Sequence, residues 1–216
     1  MLRTARPLLP LAWILAAVGY YGPWIAHRTA ALTLTGSDMG EFVKFLPGVL
    51  DGSLQVTRQV FYLPPVAVAL SVSLLVGSRA LGYPWLLRTL ALVLSVVVSF
   101  QLLPPAWSPS SLVTPEFRPQ PIAMGLCWLA SAGFLLWGRL PLWLSGLLSF
   151  GLAGFAGALS VWQLLIVKPA IDAAYGAPSA VGWGCATCLV GLATIAAISV
   201  VFALPHSVRS QGNKST

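Results

Sequence analysis

The chain has 216 residues, of which 57% are apolar and 8% charged, and its mean hydropathy is +0.85. Soluble domains carry charge at roughly 25% of their positions, so an ordinary water-dissolved domain is excluded and a chain immersed in lipid is indicated. The net charge of +7 does not point to nucleic acid, because the twelve Lys and Arg residues stand singly between apolar runs and form no basic face.

Six apolar runs approach the roughly 18 residues that cross a hydrocarbon core about 30 Å thick. They cover about residues 8–25, 60–78, 84–103, 121–137, 142–167 and 181–204, and Arg88 is the one charged side chain inside them. Their faces are apolar all round, which suits helices and not the alternating strands of a β-barrel. The expected fold is therefore all-α: a polytopic membrane protein with six transmembrane helices in a single bundle over residues 1–204. Residues 205–216 are expected to form a short cytoplasmic tail without regular structure.

In chain order, the first run follows Arg3 and Arg6 and could be read as a secretory leader. Its apolar character continues into Tyr20, Tyr21 and Trp24, placed where an aromatic belt meets the outer interface, so a retained helix ending at Gly22-Pro23 is the preferred reading. In the first outer loop, Asp38 and Glu41 are spaced as a capping box, and Met39, Phe42, Val43 and Leu46 share one helical face. That spacing predicts a short amphipathic helix over residues 38–46, lying at the interface with its apolar face toward lipid or the tops of the other helices.

Pro64 and Pro65 sit in the first turns of the second run, where a missing donor costs little. Arg88, four residues after Pro84, can snorkel to the inner headgroups. The second outer loop, residues 104–120, contains five prolines and is expected to be extended and stiff, with little regular structure. Gly138-Arg139-Leu140-Pro141 reads as a tight inner hairpin that makes the fourth and fifth helices antiparallel neighbours. The fifth helix repeats small residues at Ser145, Ser149, Ala153 and Gly157, with Gly146, Gly151 and Gly154 beside them, which predicts close helix packing at the centre of the bundle.

The charges orient this scheme. All five acids, Asp38, Glu41, Asp51, Glu116 and Asp172, fall on one side, balanced by Arg28, Lys44, Arg58, Arg118 and Lys168. Arg3, Arg6, Arg79, Arg88, Arg139, Arg209 and Lys214 fall on the other with no acid among them. Short cytoplasmic segments carry the surplus of Lys and Arg, so both termini are expected in the cytoplasm. The few lysines and the single asparagine, Asn213, suit a GC-rich bacterial genome, hence a bacterial inner membrane or a plasma membrane.

Chemistry is sparse. His27 and His206 lie on opposite sides and cannot share a metal, which needs three or four convergent ligands. No Ser-His-Asp set shares a compartment, and no glycine-rich loop precedes a lysine to hold phosphates. Gln101 and Gln163, near the outer ends of their helices, are the main polar groups within the runs. Cys185-Ala186-Thr187-Cys188 forms a C-x-x-C near the outer end of the sixth helix, with Cys127 at comparable depth in the fourth. This placement resembles membrane thiol oxidoreductases of the vitamin K epoxide reductase type; the resemblance implies dithiol exchange with a quinone, but covers four residues and lacks the second cysteine pair of the relay.

The expected function is a non-enzymatic subunit or accessory protein of a membrane complex, using no cofactor, contacting lipid, and meeting a membrane-protein partner or a second copy through the fifth helix. A permease-like component for an apolar or weakly polar substrate, marked by a cavity between the second, third and fifth helices, is the alternative. A thiol oxidoreductase using Cys185 and Cys188 is the third reading. No catalytic, cofactor-binding or metal-binding residue is assigned.

Overall fold

A computed structural model describes residues 2–27, 29, 32–104 and 107–204. The chain begins with α1 (Leu2–Tyr21), β1 (Pro23–Ala26), β2 (Leu34–Thr35), α2 (Gly36–Phe42) and the single turn α3 (Pro47–Leu50). It continues through α4 (Leu63–Val76), α5 (Trp85–Ser99), the turn α6 (Pro109–Leu112), α7 (Pro119–Ala132) and the turn α8 (Phe134–Trp137). It ends with α9 (Leu142–Tyr175), β3 (Ala180–Val181) and α10 (Trp183–Ala203). The protein is mostly helical, and four segments are long and apolar enough to cross a membrane: Arg58–Val76, Trp85–Leu102, Leu142–Tyr175 and Trp183–Ala203. The first of these joins a 3-10 turn, Arg58–Tyr62, to α4, and the last is the single helix α10.

The centre belongs to α4, which packs against α9, α5, α7, α1 and α8. Ten of its fourteen residues are buried, against ten of thirty-four in α9. The expectation that the fifth run is central is therefore corrected. Ser145, Gly146, Ser149 and Ala153 do face inward, but the buried row continues through Ala156, Ser160 and Gln163, while Gly151 and Gly154 point away from the protein. The fourth and fifth runs are also not principal neighbours: α7 packs on α4 and α5, whereas α9 packs on α4 and α10. Their hairpin straddles the end of α4, where Gly77 meets the Gly138 backbone and the Phe134 carbonyl too closely for any Cβ.

Helix α1 runs along α10 at backbone distance. A Cβ on Gly19 would fall on the Cys188 backbone, and one on Gly191 would fall on the Ala16 backbone. This seam is held by dispersion between backbones at close approach. A second device ties α4, α5 and α7. Ser95 and Ser131 hydroxyls lie 2.8 Å apart, Ser73 and Ser131 3.1 Å, and both Ser73 and Ser95 donate to the Ala69 carbonyl.

Two prolines in or at the start of helices leave carbonyls that side chains from other elements reach. Pro10 has no N–H for the Arg6 carbonyl, which instead accepts from the Tyr83 hydroxyl at 2.8 Å. Pro64 leaves the Val60 carbonyl to the Leu63 N–H and, at 3.3 Å, to the Ser160 hydroxyl of α9. At the end of α1 the Gly19 carbonyl accepts from Gly22 and from the Trp24 indole. Tyr20 and Trp24 are accordingly core residues, stacked edge-on with Phe61, and not members of a belt; Tyr21 alone is exposed.

Other boundaries shift for local reasons. The loop helix starts earlier, because Thr35 and not Asp38 is its N-cap: Asp38 is the third helical residue, its carboxylate accepting from Thr35 N–H at 2.9 Å. Met39, Val43 and Leu46 are buried as expected, against the tops of the helices. Helix α9 runs eight residues past its apolar stretch, through Pro169, because Lys168 and Asp172 pair at i,i+4 with 2.7 Å between them; it stops at Gly176, whose φ is +67°. The fourth run breaks at Gly133, and Ser108 caps an unforeseen turn in the proline-rich loop. The all-α expectation also misses a small antiparallel sheet, ordered β2-β1-β3, that ties the segment between α1 and α2 to the α9–α10 connection. The expected tail, residues 205–216, lies outside the described residues.

The seam makes opposite forecasts for two glycines. Gly191→Leu should lower the unfolding midpoint in detergent by the equivalent of about 1–3 kcal/mol, the usual cost of forcing bulk into a packed contact, whereas Gly151→Leu should leave it unchanged. Equal effects would mean that the α1–α10 approach is not what holds these helices.

Candidate functional site

The polar chemistry of the protein gathers at the acid-bearing end, on two loops and two helix starts. Capping by Thr35 and Asp38 fixes the direction of α2, which places Glu41 and Lys44 three residues apart on one face at 2.8 Å. Arg58 opens the 3-10 turn leading into α4, and Glu116 arrives from the loop before α7. Lys44 Nζ lies 3.1 Å from Glu116, and Arg58 lies 3.4 Å from Glu41 and 3.2 Å from Glu116. Arg58 also donates to the Glu116 backbone carbonyl at 2.7 Å, and both cations stand 5.2 Å from the Phe117 ring centre. Two positive and two negative groups thus clasp α2, the start of α4 and the loop before α7 together over an aromatic plate.

Beneath the clasp, the Tyr62 hydroxyl donates to Glu41 at 2.8 Å. Burial alone would raise the Glu41 pKa, but hydrogen bonds from Lys44 and Tyr62, with the charges of Lys44 and Arg58, outweigh it and hold the carboxyl below its ordinary value. Burial likewise would lower Lys44, and its bonds to Glu41 and Glu116 overcome this and raise it. Glu41 is therefore an ionised carboxylate whose oxygens already have donors, which suits a clasp and not a proton-transfer group. Tyr62 also lines a cleft of about 400 Å³ together with Ser37, Phe100, Gln101, Leu103, Pro104 and Trp107. Gln120, buried at the start of α7, has neither amide atom bonded to another protein group.

Of the residues singled out from sequence, Gln101 reaches this cleft, while Gln163 is buried on α9 with its amide nitrogen unpartnered. Cys127 belongs to a small cluster with Tyr62, Ala69 and Leu102; Cys185 and Cys188 lie in the main core along α1. All three thiols are buried and unbridged, so the structure does not bring Cys127 to the C-x-x-C pair. His27 Nδ1 accepts from the Thr29 N–H, and its ring stands against Tyr175; His206 lies outside the described residues. Among the described residues no three His, Cys, Asp or Glu side chains converge as metal ligands would. Arg88 donates through Nε to the Tyr83 carbonyl at the opposite end of the molecule.

Tyr62, Gln120 and the serines of α4, α5 and α7 escaped the sequence reading. Each lies inside or beside an apolar run, where one hydroxyl or amide leaves no periodic signal. The one available clue was that Tyr62 follows Arg58 by one helical turn, after an acid-bearing amphipathic segment.

No protein-family model, no curated protein and no solved structure matches the chain. What fold and site define is a class: a mostly helical protein with four helices long and apolar enough to cross a membrane, its ionic groups joined at one end.

The lowered Glu41 pKa gives the clasp a pH dependence. A carboxyl depressed in the folded state contributes fully above its ordinary value of 4.5 and loses that contribution as pH falls through the folded value. Glu41→Gln should cost about 1 kcal/mol at pH 7, since the groups are partly solvated. The gap in melting midpoint between variant and native protein should narrow below pH 4.5; a gap independent of pH would remove the assignment.

Proposed function

We propose that the chain is a non-enzymatic integral membrane protein: six spans in one bundle, acting as a helix-packing subunit or accessory protein of a membrane complex in a bacterial inner membrane or a plasma membrane. Two further spans join the four long apolar helices. Helix α1 has twenty residues, about 30 Å at 1.5 Å per residue, and α7 with α8 covers residues 119–137 across the break at Gly133. Orientation follows charge. Arg6, Arg79, Arg88 and Arg139 cluster at the end opposite the five acids, which supports an arginine-bearing cytoplasmic face and cytoplasmic termini.

The observation that carries the subunit reading is the outward face of α9. Gly151 and Gly154 have open space where a Cβ would stand, beside an apolar groove of about 360 Å³ lined by Leu63, Val66, Ala67, Leu152, Phe155 and Ala156. Small residues turned inward on α9 and α10 are used for packing within the chain; these two are left for a helix from elsewhere, either a partner or a second copy. The thiols serve as small packing side chains in this reading, since Cys188 fills the seam opposite Gly19.

A tagged chain purified in mild detergent should retain a stoichiometric membrane-protein partner or a second copy. Gly151→Leu with Gly154→Leu should weaken that association about tenfold, the loss expected from roughly 1–2 kcal/mol of helix contact, with the melting midpoint of the chain unchanged. A monomer that carries nothing, or association indifferent to both substitutions, contradicts the proposal.

A further inference from the structure

At the arginine-bearing end, the structure holds cations together without acids. Arg6 and Arg88 converge on Tyr83: the Arg6 guanidinium lies 5.4 Å from its ring centre and donates to the neighbouring Gly82 carbonyl at 2.6 Å, while Arg88 Nε donates to the Tyr83 carbonyl at 2.8 Å. Arg79 and Arg139 are exposed at the same end, on the two connections that the contact of Gly77 with Gly138 joins. All five acids of the chain lie at the opposite end or on its loops. Like charges gathered in this way are stabilised by an anion.

Two residues beyond Tyr83 begins a groove between α5 and α7, with a volume of about 470 Å³. Trp85 and Thr89 stand at its mouth, Leu92, Val93 and Val96 along its floor, and Val97 and Trp128 at its far end. Along α5 the twelve steps from Trp85 to Val97 span about 18 Å at 1.5 Å each, close to the roughly 15 Å of one leaflet's half of the hydrocarbon core. Its lining is almost wholly apolar, and Trp85 leans on Phe134, 6.4 Å between ring centres, where the hairpin carrying Arg139 begins.

We propose that this groove and its arginine mouth form a binding site for one anionic phospholipid of the cytoplasmic leaflet, an acyl chain lying along α5 and α7 and the phosphate held by Arg88 with Arg6, Arg79 and Arg139. The site rests on the membrane reading above and adds to it a headgroup preference. Groove length selects a single chain of one leaflet, and the unpaired guanidinium groups select its charge. A lipid without net charge would fill the groove equally well and leave the cations uncompensated.

The full chain should be reconstituted in vesicles of phosphatidylcholine containing a minor share of either phosphatidylglycerol or phosphatidylcholine brominated on the acyl chains, with tryptophan quenching as the readout. The Trp128 contribution is isolated by difference from Trp128→Phe. Brominated phosphatidylglycerol should quench Trp128 with an apparent affinity about fivefold or more above that of brominated phosphatidylcholine, the worth of one basic contact at a membrane surface. Arg79→Gln with Arg139→Gln, both exposed and outside the packed interior, should bring the two lipids closer together. Ala132→Phe, which fills the groove and keeps the arginines, should abolish Trp128 quenching by phosphatidylglycerol at low mole fraction. Equal quenching by both lipids in the native chain overturns the site while leaving the membrane reading intact; absence of quenching by either overturns both.

Discussion

In hydrocarbon a backbone carbonyl deprived of its donor has no water to turn to, and each such group costs several kcal/mol. Where a proline removes a helical donor, another group has to supply one. Pro10 stands inside α1 and Pro64 in the first turn of α4; the Arg6 carbonyl accepts from the Tyr83 hydroxyl, and the Val60 carbonyl, already bonded to the Leu63 N–H, accepts also from the Ser160 hydroxyl. These bonds double as crosslinks, because Tyr83 ties the α4–α5 connection to α1 and Ser160 ties α9 to the start of α4. Proline therefore specifies tertiary structure here by what it withholds.

Between these crosslinks the helices approach through surfaces with little side chain. The α1–α10 seam brings backbones together at Gly19 and Gly191, and α4 threads the hairpin at Gly138. With the middle packed in this way, ionisable groups are driven to the two ends. At one end they neutralise each other in the clasp of Glu41, Lys44, Arg58 and Glu116. At the other the arginines face no acid. The clasp charges are thus paired within the chain, whereas the arginines at the basic end have no carboxylate partner among the described residues.

Much of the plan was legible from composition. The runs at 60–78, 84–103 and 181–204 became α4, α5 and α10 nearly within their expected limits, because unbroken apolar stretches leave a chain in lipid no alternative to a helix. Helix ends were read poorly where polar residues extend a helix, as Lys168 and Asp172 do for α9, or where a cap sits one turn upstream, as Thr35 does for α2. Which helix is central was illegible. A small-residue row marks both inward and outward faces, and only three-dimensional packing separates Ser149 from Gly151. The clasp was half visible: its charges were assigned to one side of the membrane, but a pairing across 72 residues, Lys44 with Glu116, leaves no trace in local periodicity.

The central claim is that the chain spans a membrane with its acidic end outside and its arginine end in the cytoplasm. Single reporter cysteines at two exposed loop positions test it directly, since the native thiols are buried: Asp51→Cys at the acidic end and Arg139→Cys at the other. In intact cells a maleimide that cannot cross membranes should label the Asp51 position at once and the Arg139 position only after lysis. The reverse order would invert the orientation, and recovery of either variant in the soluble fraction would contradict the membrane account itself.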